Sequence, residues 1–305
     1  MWSSEIQGIA AALGGEVVSA TVLAGGFSHE TCLVDLGERQ VVVRFGGGDS
    51  VIEAGVMAAA RQHVPVPEVL LVRAGVMVIE YVNGTVLSQV LDDGRLAEGE
   101  ARALGAEVGR VVAGIAAVTF GRPGFFVDGN LAVDEQVPWS RQLVPMVENC
   151  MGQVPGGRLD DGIRDAWVRL CAENAAVLES VDGHARLVHA DINPKNILVT
   201  RVGGGWRVDA VLDWEFSYSG CAYGDAGNMA RFGAGYPDGF LAGFGAGFAD
   251  GQPGDLPLVA DWKRVGRVLD MFALSDLVTR PDGHAVADQA AEQIRLWARR
   301  GLPGG

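Results

Sequence analysis

The sequence predicts an α+β chain of two lobes: a small one built on a five-stranded antiparallel sheet with a helix, and a larger, mostly helical one. Three observations carry that prediction. At 305 residues the chain reaches the size at which single cores tend to split. β-prone runs dominate up to Val82, whereas from Val86 the apolar residues recur at three- and four-residue spacing. Later, Leu187 to Asp213 sets two apolar runs around a polar loop, which would hold Asp191 and Asn196 at the end of a hairpin, and brings a third run to the carboxylate of Asp213.

Ser3 or Ser4 can cap a short helix that Gly14-Gly15 ends, and Glu16 to Leu23 then runs as a strand into Gly25-Gly26-Phe27-Ser28. Thr31 to Leu36 and Gln40 to Phe45 form a hairpin about Gly37-Glu38. A glycine turn between strands can lie over phosphates and donate backbone N–H groups, which makes Gly25, Gly26 and Ser28 candidate nucleotide contacts; alone, the segment equally suits an ordinary hairpin. Ser50-Val51-Ile52-Glu53 opens a helix reaching about Gln62, with Val51, Ala54, Met57 and Ala58 on one face. Glu53 has two readings: the returning acid of a capping box, or a carboxylate that pairs with Arg44 and fixes that cation against a nucleotide. Val64-Pro65-Val66-Pro67 stops the helix, and Val69 to Val72 and Val76 to Val82 complete the sheet. The first lobe is therefore residues 1–82 and the second 83–305, with Glu80-Tyr81-Val82 as a hinge whose backbone could read an adenine edge.

In the second lobe Ala97, Ala101, Leu104, Val108, Val111, Ile115 and Val118 line one helical face. Trp139 to Met151 and Asp160 to Val181 read as two more helices, and Tyr218 to Tyr236 as an irregular Gly-rich passage carrying Asp225. Helices over about Pro237 to Ala249, Leu256 to Val278 and Ala285 to Arg300 close the chain. The Gly-x-x-x-Gly spacings at 239–247 lie in a short helix between charged loops and do not suit a membrane dimer.

Composition narrows the function. A net charge of −14 lacks the basic footprint that nucleic acid or an anionic membrane surface requires, and points more naturally to a cationic partner. The four cysteines are widely spaced and suit neither a zinc site nor a disulfide framework. Met-Trp-Ser-Ser-Glu does not begin a signal peptide and no long apolar span occurs, so a cytoplasmic enzyme is expected. Oligomeric state is not legible.

His189-Ala-Asp191-Ile-Asn-Pro-Lys-Asn196, taken alone, also suits a structural turn about Pro194. Its setting favours chemistry, because a glycine turn, a strand cation, a helix acid and a later strand-end Asp213 occur around it in order. With Leu-Asp213-Trp-Glu, this stretch resembles the catalytic loop and metal-binding segment of the aminoglycoside phosphotransferase-like family, small-molecule relatives of protein kinases. The resemblance runs from about Val22 to the final helices and implies the bilobal protein-kinase-like fold.

It further implies that Asp191 accepts or orients the proton of a substrate hydroxyl, while Asn196 and Asp213 hold Mg²⁺ on the phosphates of ATP or GTP. His189 braces the catalytic loop by hydrogen bonding, and Asp225 supports it from below. Arg44 stands where the kinase pattern has Lys, yet a guanidinium can still bind phosphate and Glu53. Gly25-Gly26-Phe27-Ser28 departs from Gly-x-Gly-x-x-Gly, and a Walker-type loop is absent from the sequence. The expected reaction moves a γ-phosphoryl group to a small-molecule hydroxyl, foremost an antibiotic of aminoglycoside, peptide or nucleoside type. A metabolic kinase for a sugar, amino alcohol or homoserine-like hydroxyl is the alternative, and a non-catalytic nucleotide-binding protein stands behind both. The acidic residues Asp255, Asp261, Asp270, Asp276 and Glu292 of the helical lobe are mostly solvated faces, with one or two available to substrate amines.

Overall fold

The computed structural model describes residues 2–23 and 29–303. Helix α1 (Trp2–Ala12) precedes strands β1 (Ser19–Leu23), β2 (His29–Asp35) and β3 (Gln40–Gly46), helix α2 (Ser50–Ala60), and strands β4 (Val69–Arg73) and β5 (Val76–Glu80). The five strands form one sheet in the order β1-β2-β3-β5-β4, with every neighbouring pair antiparallel. Alternation along β3 buries Val41 and Val43 on the face that receives Ile6, Ile9 and Ala10 of α1. Met77 and Ile79 of β5 join a larger core with Val56, Met57 and Ala60 of α2.

Helix α2 differs from expectation in both cap and face. Asp49 is the N-cap, its Oδ1 accepting the Val51 and Ile52 N–H groups at 2.9 and 3.2 Å. Glu53 is thereby released from a capping role. The buried face is Ser50, Glu53, Val56, Met57 and Ala60, while Val51 is 55% exposed. Inward placement of the Glu53 carboxylate turns the helix away from its most apolar stripe.

The helical part carries α3 (Leu87–Asp92), α4 (Glu98–Gly114), α5 (Trp139–Gln153), α6 (Asp161–Asn174), α7 (Tyr223–Ala230), α8 (Phe240–Asp250), α9 (Trp262–Leu277) and α10 (Ala285–Arg300). The passage expected to be irregular instead folds as the short strand β10 (Tyr218–Gly220) and the buried helix α7. Its glycines serve close approach: a Cβ on Gly227 would stand 2.2 Å from the Gly266 carbonyl oxygen of α9. Backbone contact also joins α4 to α8. Cβ atoms on Gly105 and Gly109 would meet the carbonyl oxygens of Phe240 and Phe244 at 2.1 and 2.2 Å, and those on Gly243 and Gly247 would meet Arg102 and Ala106 at 2.0 Å each. The Gly-x-x-x-Gly spacing thus forms a seam within the chain. Among the described residues, no helix is long and apolar enough to cross a membrane.

The polar loop at 189–196 is not the end of a hairpin. Its entering strand β7 (Arg186–Val188) pairs with β10, and its leaving strand β8 (Ile197–Val202) pairs with β9 (Gly205–Val211) and β6 (Thr85–Val86). The loop therefore bridges two sheets and depends on side-chain hydrogen bonds for its shape.

Candidate active site

Asp225, buried near the start of α7, supplies the first brace. Its Oδ2 accepts the His189 N–H at 2.9 Å and its Oδ1 the Ala190 N–H at 2.8 Å. Ala190 has φ +69°, a left-handed conformation that a residue with a Cβ holds only when its surroundings impose it. Burial pushes the Asp225 carboxyl up to about 7, and the two N–H donors oppose that rise.

His189 is fully buried beside Trp214, with ring centroids 4.5 Å apart. The Asp191 N–H donates to its Nδ1 at 3.2 Å, and Nε2 lies 2.9 Å from the Leu212 carbonyl oxygen. An acceptor at Nδ1 and a donor at Nε2 define one neutral tautomer. Burial is also the main reason the ring holds a proton poorly, down to about 4. His189 therefore shapes the loop from beneath and presents no surface to an acceptor.

Above it, the Asn196 side-chain N–H₂ group donates to the Asp191 backbone oxygen at 3.0 Å and to Asp191 Oδ2 at 2.9 Å. That orientation leaves Asn196 Oδ1 as an oxygen donor for a cation. The Asn196 carbonyl accepts the Leu212 N–H at 2.8 Å, which fastens the loop to the segment entering Asp213. Burial pushes Asp191 up to about 6; Arg231 opposes the rise and Asp213 reinforces it.

Asp213, itself at φ +68°, meets the sheet lobe. Arg44 Nη1 lies 2.6 Å from Glu53 Oε1, and Nη2 lies 2.9 Å from Asp213 Oδ1. The Trp214 N–H donates to the same Glu53 oxygen at 3.2 Å, and the Gly48 N–H to Glu215 Oε2 at 3.2 Å. The pairing of Arg44 with Glu53 expected from the sequence is thus present, whereas the capping-box reading is not. Asn196 and Asp213 offer oxygen donors, a set suited to Mg²⁺, which takes few protein ligands and completes its shell with phosphates and water. Among the described residues no cluster of three or more His, Cys, Asp or Glu forms a closed metal cage.

Glu80 turns outward at the end of β5, where its carboxylate accepts the Glu68 N–H at 3.1 Å and contacts Arg61 Nη1 at 3.4 Å. Val82 is half-buried just beyond. Gly25, Gly26 and Ser28 lie outside the described residues. The sequence reading missed a buried group next to the loop: Arg231 binds Asp270 through Nε at 2.9 Å and Nη2 at 2.6 Å, and the Asn228 amide donates to Asp270 at 2.7 Å. Its signal was an arginine within an otherwise Gly-, Ala- and Phe-rich run.

A sheet lobe over a helical lobe, with a carboxylate loop and a cation–carboxylate pair at their seam, defines the class as a kinase-like phosphotransferase. A model of the phosphotransferase enzyme family matches residues 19–264, and the chain belongs to that family. Aminoglycoside phosphotransferase APH(4)-Ia is similar in structure at 19% identity and TM-score 0.71, over 99% of this chain and 100% of its own. A thermostable mutant of that enzyme, in ternary complex with ADP and hygromycin B, matches at 20% identity and TM-score 0.68, covering 99% and 100%. ADP-bound APH(2'')-Ib matches at 15% identity and TM-score 0.64, with 99% and 100% covered. At these identities the likeness is one of fold. No curated protein matches the sequence.

Proposed function

We propose that the chain transfers the γ-phosphoryl group of ATP or GTP to a hydroxyl of a small molecule, foremost an antibiotic, inactivating it in the cytoplasm. The observation that carries this reading is the meeting of Asp191, Asn196 and Asp213 with the Arg44–Glu53 pair at one seam. Residues 1–82 cover the nucleotide, with Gly25, Gly26 and Ser28 near the phosphates and the backbone of Glu80 to Val82 at the base. Residues 83–305 carry the catalytic loop and the acceptor. Asp191 orients the acceptor hydroxyl and takes its proton, while Asn196 and Asp213 are the residues that would hold Mg²⁺; bound there, the ion neutralises charge on the phosphates. His189 and Asp225 hold the loop, and Arg44 steadies phosphate charge.

Acceptor chemistry is where the acidic surface matters. Asp255, Asp276 and Glu292 are engaged by Arg186, Arg280 and Arg295, and Asp270 is buried against Arg231. Asp92 is exposed; its charge reaches Tyr236, and the charge of Arg231 reaches both Tyr236 and Asp191, so Asp92 is the carboxylate we assign to an acceptor amine. The hygromycin B complex of the APH(4)-Ia mutant supports the antibiotic reading, and a metabolic hydroxyl acceptor is the second.

Incubation with Mg-ATP or Mg-GTP and a panel of antibiotics and hydroxylated metabolites tests both, with mass spectrometry for products heavier by one phosphoryl group. Phosphorylation of metabolites only would sink the antibiotic reading. Asp191→Asn should remove nearly all turnover, a loss of about 10²-fold or more, while nucleotide affinity stays within a few-fold. Full activity in that variant would refute the assignment of Asp191.

A further inference from the structure

A lysine ends in one nitrogen, but Arg44 uses two on different partners. Resting on the phosphotransferase reading, we propose that Arg44 is an exchange latch. One arm stays on Glu53, while the other guards the metal-binding carboxylate of Asp213 and passes to nucleotide phosphate when the metal arrives. The two contacts, 2.6 Å to Glu53 Oε1 and 2.9 Å to Asp213 Oδ1, leave from separate terminal nitrogens, as the planar fork allows.

Geometry around the pair makes it a latch. Asp213, Trp214 and Glu215 are consecutive, and each is tied to the sheet lobe, through Arg44, Glu53 and the Gly48 N–H respectively. Glu53 Oε1 accepts from Arg44 and from the Trp214 N–H at once, so the peptide following Asp213 is gripped on the same oxygen that anchors the guanidinium. That grip maintains the left-handed Asp213 backbone at φ +68°.

A divalent ion bound to Asp213 would meet the buried Arg44 cation on the same carboxylate; the Asp213 side chain is 34% exposed, so the two cations repel at contact distance even with partial screening. Nucleotide phosphates offer Nη2 another anion, and moving that arm removes the repulsion without disturbing Glu53. Metal and nucleotide are therefore coupled: each should bind more tightly in the presence of the other.

Titration with Mn²⁺ in the absence of nucleotide, with free ion counted by electron paramagnetic resonance, tests the latch on the full chain and on Arg44→Lys. The lysine should remain with Glu53 and release Asp213, giving Mn²⁺ affinity about tenfold above wild type. Equal or weaker binding by the variant would overturn the proposal. If Arg44→Lys does not fold, a wild-type structure with Mn²⁺ and AMP-PNP decides instead. There Arg44 should contact phosphate and Glu53 but not Asp213, and retention of the Asp213 contact beside bound metal would overturn the latch. An inactive wild type that shows the Mn²⁺ difference would fail the phosphotransferase reading alone, and an active one without the difference would fail the latch alone.

Discussion

Two hydrogen bonds fix the neutral tautomer of His189, and burial holds its proton affinity down to about 4 against an ordinary value near 6.5. Below pH 6.5 the unfolded chain takes up a proton that the folded chain refuses until about pH 4, so this residue lowers stability as pH falls through that window, by roughly 3 kcal/mol. Asp191 and Asp225 act in the opposite sense. Burial pushes them up to about 6 and 7, so the folded chain keeps protons the unfolded chain loses above about 3.8, and stability falls as pH rises. The urea midpoint of His189→Gln relative to wild type should therefore improve as pH falls from 7 to 4, whatever the carboxylates contribute to both; a difference that does not change with pH would refute the assignment. Removing Asp270 should be more severe. Asp270→Ala leaves the Arg231 guanidinium buried without its counter-ion, an expected loss of about 3–5 kcal/mol in urea unfolding, much of it recovered when Arg231→Met is added. The grouping of His189, Asp191 and Asn196 on one loop was legible from the motif and the family it resembles. Arg231 with Asp270 was not, because its partners lie 39 positions apart and neither sits in a recognisable pattern.

At the scale of elements, periodicity located α10 at Ala285–Arg300 and the start of α5 at Trp139, where apolar stripes are long and uninterrupted. It failed for α7, whose glycines lower intrinsic helix propensity but admit backbone contact with α9. It also rotated α2, since the sequence cannot show that Glu53 turns inward to meet a cation on β3. The α4–α8 seam gives the sharpest prediction. Gly243→Ala would drive a methyl group against the Arg102 carbonyl, and thermal unfolding should report a loss of about 1–3 kcal/mol. Gly152→Ala, in α5 where a Cβ meets nothing within 4 Å, should be neutral or slightly stabilising.

For the whole molecule, division into a sheet lobe and a helical lobe was legible because the hydrophobic period changes near Val86, but the joining of the lobes was not. Their tie runs through Asp213, Trp214 and Glu215, residues distant in sequence from Arg44, Gly48 and Glu53. A non-hydrolysable nucleotide with Mg²⁺ should protect the amides of residues 213–215 from hydrogen exchange beyond wild type alone, and unchanged protection would argue against a nucleotide at this seam. The glycine seam deeper in the helical lobe has a different bearing, on how the sequence can drift. An oversized side chain facing another side chain can be rescued by trimming its neighbour. At Gly105, Gly109, Gly243 and Gly247 the obstacle is a main-chain carbonyl, and no second-site replacement removes a carbonyl. Those four positions should yield no suppressors in their facing residues, and their variation in descendants of this chain should be confined to glycine.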